Sequence, residues 1–156
     1  MLRRSKNKRK APAAEPESGP VDVLVVGDDA DARELLARVL DRAGHEVTQV
    51  DGAPSALEAL GMAPRRAVVA LLHGDGGASL TESIRDHEDE TVAAVPLVVL
   101  ADEESAVNAA TRAGADGTLT RPFHADELTG ELDEVLGRTP EERAEIRKVA
   151  DLRQDD

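Results

Sequence analysis

Hydrophobic positions along this chain fall into two rhythms that take turns. Some short runs are apolar at almost every position: 21–26 (VDVLVV), 67–72 (AVVALL) and 96–101 (PLVVLA). Runs of that kind read as strands of a parallel sheet buried on both faces. Between them apolar residues recur at helical spacing. Leu35, Leu36, Val39, Leu40 and Ala43 mark a helix over 30–43, followed by Gly44 where a left-handed cap is favoured. Glu46–Val50 is a short alternating strand, and Gly52-Ala-Pro leads into a helix carrying Ala56, Leu57, Ala59 and Leu60 before Gly61. Pro54 suits the first turn of that helix. The turn-rich stretch His73–Gly77 precedes a helix over 78–87 with Leu80 and Ile84 on one face. An Ala-rich helix over 103–113 ends at Gly114, and 117–120 is a short fifth strand. A fifth helix over 125–136 carries Leu128, Leu132, Val135 and Leu136 on its buried stripe.

Strands that alternate with helices through short connections imply one α/β domain with a parallel sheet covered on both faces. Right-handed crossovers leave few arrangements, and the flavodoxin-like (βα)5 order 2-1-3-4-5 is the expected one. The domain spans 21–137. Residues 1–20 are basic, then rich in Ala, Pro, Glu, Ser and Gly without a hydrophobic period, and read as a tail and linker. After Gly137, Thr139-Pro-Glu-Glu142 is a capping box opening a helical extension over 138–156. Its apolar content (Ile146, Val149, Ala150, Leu152) is thin, so a loosely docked or free helix is expected.

Composition narrows the chemistry. With no cysteine, disulfides, thiolate catalysis and cysteine-ligated zinc are excluded, and a reducing cytoplasm is the expected location. No apolar run approaches the roughly 20 residues of a membrane span. Phe123 is the sole aromatic, so the core rests on Val, Leu and Ala. The net charge of −13 hides a split, because residues 1–10 hold six basic and no acidic side chains, leaving −19 on the rest. An acidic body repels nucleic acid. Any contact with nucleic acid or an anionic surface is therefore assigned to the basic segment 3–10.

Two stretches carry more specific information: VLVVGDDADARELLARVLDRAGHEV at 23–47 and AGADGTLTRPFHADEL at 113–128. Together they resemble the receiver domains of two-component response regulators, over about 21–137. In that family a carboxylate pair after the first strand holds Mg²⁺, and an aspartate ending the third strand attacks a phosphoryl donor. A Thr or Ser after the fourth strand and a Lys after the fifth bind phosphoryl oxygens, and an aromatic in the fifth strand reports the switch. A carboxylate nucleophile facing a phosphoryl group needs a hard cation with oxygen ligands to offset the charge.

Carried over position by position, the resemblance implies an atypical member. The acidic pair falls on Gly27 and Asp28, with Asp29 adjacent, so the implied metal site is half of the usual one. The phosphoacceptor position falls on Leu71 or Leu72, and nothing from Val68 to His73 is acidic. The hydroxyl position falls on Ala101, the Lys position on Arg121 and the switch aromatic on Thr118, while Pro122 and Phe123 complete the fifth loop. The family's Lys-Pro bond is usually cis, which extends to Arg121-Pro122. Asp75 is the rival acceptor, a few residues too late along the chain, and it also reads as a turn aspartate between Gly74 and Gly76.

Other constellations point elsewhere. His45, His73, His87 and His124 show no metal-ligand spacing. His73 directly follows an apolar strand, where it is either a catalytic group or a loop residue. GDGG at 74–77 is a candidate phosphate cradle that lacks both the GxGxxG fingerprint and the P-loop Lys-Ser/Thr. The expectation is a stand-alone, non-enzymatic receiver, monomeric or weakly dimeric. It would act on a kinase, regulator or effector through its fourth helix, fifth strand and fifth helix (103–113, Thr118, 128–136). A receiver phosphorylated at a displaced aspartate and a nucleotide- or small-ligand-binding module are the alternatives.

Overall fold

The computed structural model describes residues 22–154. Five strands, β1 (Asp22–Gly27), β2 (Glu46–Val50), β3 (Ala67–Leu71), β4 (Leu97–Ala101) and β5 (Gly117–Thr120), form one sheet in the order β2-β1-β3-β4-β5. Every pairing is parallel. The expected order is the observed one.

Burial on both faces explains the continuous apolar strands. Leu24, Val26, Val68, Ala70, Leu97 and Val99 face one way, against Ala56 and Leu60 of α2 (Ala53–Met62), Leu80 and Ile84 of α3 (Gly76–Arg85) and Ala110 of α5 (Glu104–Ala113). Val23, Val25, Ala67, Val69, Val98 and Leu100 face the other, against Leu36 and Leu40 of α1 (Ala30–Arg42) and Leu128, Leu132 and Val135 of α6 (Ala125–Leu136). At about 25 cal/mol per Å² of apolar surface removed from water, these two layers supply the main stabilisation.

Three local features depart from the sequence reading. α3 begins at Gly76, two residues before the expected start at Ala78. A Cβ on Gly77 would lie 2.6 Å from Val99 Cγ1, and one on Gly76 2.8 Å from Leu72 Cβ. These glycines let α3 close onto the sheet, which gives GDGG a packing role. Gly74 supplies the positive φ (57°) of the turn before it. α2 runs through Gly61, where a Cβ would meet open space, to Met62. A short extra turn, α4 (Glu90–Ala93), is capped by Asp89, whose carboxylate accepts from Thr91 N at 2.9 Å.

The C-terminal helix α7 (Pro140–Gln154) starts at the expected capping box. Thr139 Oγ1 accepts from Glu142 N at 3.0 Å, and Glu142 Oε1 accepts from Thr139 N at 2.8 Å. The expectation of a loose helix is corrected: α7 packs on α5, with Arg143 buried and Arg147 paired to Asp116 at 2.5 Å. Two of its apolar side chains face out, Ile146 being 45% and Val149 40% exposed. Guanidinium groups, not the apolar stripe, dock this helix, and an apolar period cannot reveal that.

Candidate functional site at the strand ends

Parallel strands present their carboxyl ends at one edge, where open α/β sheets place their ligands. Here that edge holds a small cleft lined by Asp28, Asp29, Ala32, Leu71, Leu72, His73, Asp102 and Arg121, with about 30 Å³ of room. β1 ends level with β3, since Gly27 pairs with Leu71, so Asp28 and Leu72 leave the sheet side by side.

Each carboxylate in the cleft already has work within the protein. Asp28 Oδ2 accepts from His73 N at 3.0 Å and meets His73 Nδ1 at 3.0 Å. The His73 backbone N–H, with its ring adding to the effect, holds the Asp28 carboxyl below the usual value of 3.8. Asp29 is the N-cap of α1, its Oδ1 accepting from Asp31 N at 3.0 Å and Ala32 N at 3.3 Å. Asp102, just past β4, accepts from Arg121 Nε at 2.6 Å. That charge-assisted hydrogen bond lowers the Asp102 pKa and raises that of Arg121.

The remaining positions are placed as follows. Leu71 packs with the core layer under α1 and α6, and Leu72 packs against the opposite layer, so the two candidates for the acceptor position lie on opposite sheet faces. Ala101 ends β4, is buried, and does not line the cleft. Thr118 sits half-buried in β5, its N–H donating to Glu131 Oε2 at 3.2 Å. The Arg121-Pro122 bond is cis. Phe123 is half-buried, packs against the α1/α6 layer, and lines an apolar groove of about 360 Å³ with Leu35, Leu36, Val39 and Leu128. Asp75 precedes α3, is exposed, and is not brought into the cleft. The sequence alone reads Asp102 as a solvated charge at a helix start and gives His73 no defined partner. The signal available for both was their place directly after an apolar strand.

Mg²⁺ takes near-octahedral oxygen ligands. The residues present do not make such a set, because Asp28 Oδ2 is held by His73, Asp29 Oδ1 caps α1, and β3 contributes Leu71 and Leu72. Among the described residues, no three His, Cys, Asp or Glu side chains come together as a metal site.

A β2-β1-β3-β4-β5 sheet with a charged cleft at its carboxyl edge is a doubly wound α/β domain of the flavodoxin-like class, with a candidate ligand site at its strand ends. The chain belongs to the response regulator receiver domain family, matched over residues 23–133. Similar proteins include the sensory/regulatory protein RpfC of Xanthomonas campestris pv. campestris, 32% identical over 121 residues (74% of this chain and 17% of RpfC). The transcriptional regulatory protein TcrA of Mycobacterium tuberculosis is 32% identical over 139 residues, covering 86% of this chain and 53% of TcrA. The chain thus spans about half or less of the curated relatives it matches. Among solved structures, a response regulator of Chloroflexus aurantiacus superposes with a TM-score of 0.70 at 30% identity, covering 77% of this chain and all of that one. The protein is a receiver domain of two-component signalling.

Proposed function

We propose that this receiver signals by binding partner proteins and is not switched by phosphorylation of an aspartate at the end of β3. One observation carries the reading: where β3 meets the cleft it brings Leu71 and Leu72, while His73 holds Asp28 and Arg121 holds Asp102. A carboxylate nucleophile is missing at that point, and the one fixed cation lining the cleft, Arg121, is engaged by Asp102. Arg121 keeps the positive charge of the usual lysine but not its compact ammonium. The partner surface is the face made by α5, β5 and α6, and the partner is a kinase, regulator or effector of a cytoplasmic signalling pathway. The domain is a monomer or weak homodimer and performs no catalysis of its own.

Incubation with a small phosphodonor and Mg²⁺, followed by intact mass, tests this. The expected spectrum is unchanged. A stoichiometric phosphoryl adduct would overturn the proposal, and its loss in Asp75→Ala would assign the displaced acceptor.

A further inference from the structure

α7 is held to the domain more by charge than by apolar burial. Arg143 is buried, Arg147 and Ala150 are half-buried, and every other residue from 141 to 149 is exposed. Positions i, i+4 and i+7 share one helix face, so this narrow stripe is the docked one. Its anchor is Arg147, paired with the buried carboxylate of Asp116. Arg85 Nη2 takes the other oxygen of Asp116, Arg138 Nη1 reaches the Asp116 carbonyl at 3.5 Å, and Arg143 Nη1 donates to Arg138 O at 2.7 Å. Four guanidinium groups thus gather round one carboxylate, and Arg143 Nε is buried without a hydrogen-bond partner among the described residues. A buried ion pair roughly balances its own desolvation, and a buried orphan donor destabilises. Among the described side chains of α7, no large apolar one is buried to offset this.

What α7 covers is α5. β4 and β5 pack under α5, α3 packs along it, and α7 takes a further part of its surface. α5 is also the first of the three elements of the partner face. The connection from α6 to α7 is short, Gly137 to Thr139. The reciprocal hydrogen bonds between Thr139 and Glu142 lie wholly within this C-terminal segment. α7 therefore keeps its N-terminal cap when it leaves α5.

We infer that α7 is an autoinhibitory cover on the partner face. Docked, it occupies part of α5; released as a unit, before the sheet opens, it uncovers α5 for a partner protein. The inference rests on the reading of α5, β5 and α6 as the partner face and adds the regulation of that face. A protein that binds the covered part of α5 competes with α7, so its apparent affinity is reduced by the fraction of molecules in the released form.

Hydrogen exchange and relaxation by a neutral gadolinium chelate, both read by NMR on the full-length protein, test the cover. Amides of α7 beyond its first turn should exchange roughly tenfold or more faster than those of β1, β3 and β4, through an opening that responds little to low urea. Arg147→Gln should speed α7 exchange about tenfold. It should also raise the relaxation of α5 amides by the chelate, while α2, which packs beyond α3, keeps its values. Ala150→Lys alters the docked stripe, leaves Asp116 and its arginines in place, and should act in the same direction. Both variants should keep the β1, β3 and β4 resonances in position; loss of those resonances in both would make α7 part of the core and overturn the inference. Exchange of α7 only at the rate of β1, β3 and β4 overturns it as well. So does an α7 that opens in the variants with no gain in α5 relaxation. Failure of the proposed function reads separately, as a phosphoryl adduct in the mass experiment.

Discussion

Replacing Asp116 by Asn tests how the domain is tied together behind the sheet. The Asp116 side chain is 1% exposed and joins three elements: Oδ2 accepts from Arg85 of α3 at 2.7 Å and from Leu97 N of β4 at 2.9 Å, and Oδ1 pairs with Arg147 of α7 at 2.5 Å. Arg85 is buried deeply enough that its pKa falls to about 10, burial being the main cause and Asp116 the main opposing one. Removing one partner of a buried ion pair costs about 3–5 kcal/mol, because a charge is left uncompensated. Arg85 keeps the carbonyls of Ala93, Val95 and Gly114 at 2.8 Å each, so the lower end, about 3 kcal/mol, is the expected loss. For a domain of this size that lowers the thermal midpoint by roughly 6–12 °C. Urea unfolding of wild type, Asp116→Asn and Arg147→Gln provides the assay. Arg147→Gln removes only the contact to α7 and should cost about 1–2 kcal/mol. A loss below about 1 kcal/mol for Asp116→Asn, or losses equal in the two variants, would refute the reasoning.

Three further outcomes follow from single sites. Gly77→Ala forces a methyl against Val99 Cγ1, 2.6 Å from the Cβ position, and should destabilise by about 1–3 kcal/mol in the same urea assay. His45 titrates below its usual 6.5, through burial first and Arg66 second. The unfolded chain therefore takes up the proton first, and stability should fall as pH drops below 6.5 towards the folded value. NMR titration of His45 in Arg66→Gln should show its pKa rising. Asp28 titrates below 3.8 with the His73 N–H as main cause, so its contribution is present near neutral pH and lost as pH falls through the folded value. His73→Ala, followed by carboxyl NMR, should raise the Asp28 pKa only in part, because the backbone donor remains.

What the sequence made legible follows from what repeats along it. The buried strands AVVALL and PLVVLA and the helical stripes on α1 and α6 prescribed a parallel sheet with two covered faces, and the observed order agrees. Asp28, Asp29, Leu71, Leu72 and Arg121 were singled out from the strand ends, and the fold brings them into one cleft. Pairwise contacts between distant residues leave no period. Arg121 meeting Asp102, His73 meeting Asp28, and Arg147 reaching Asp116 became visible only in three dimensions. Gly76 and Gly77 looked like loop residues because composition cannot distinguish a glycine that turns the chain from one that admits a neighbouring Val99. The basic segment 3–10 and its expected contacts with nucleic acid or anionic surfaces lie outside the described residues.

The central claim is that chemistry at the strand ends does not switch the α5–β5–α6 face. Amide NMR spectra of the full-length protein, recorded before and after addition of a small phosphodonor with Mg²⁺, test it most directly. The account predicts that resonances of α5, of Thr118–Thr120 in β5 and of α6 keep their positions. Saturating shifts that begin at Asp28 and Leu72 and extend through Thr118 to α5 and α6 would contradict it.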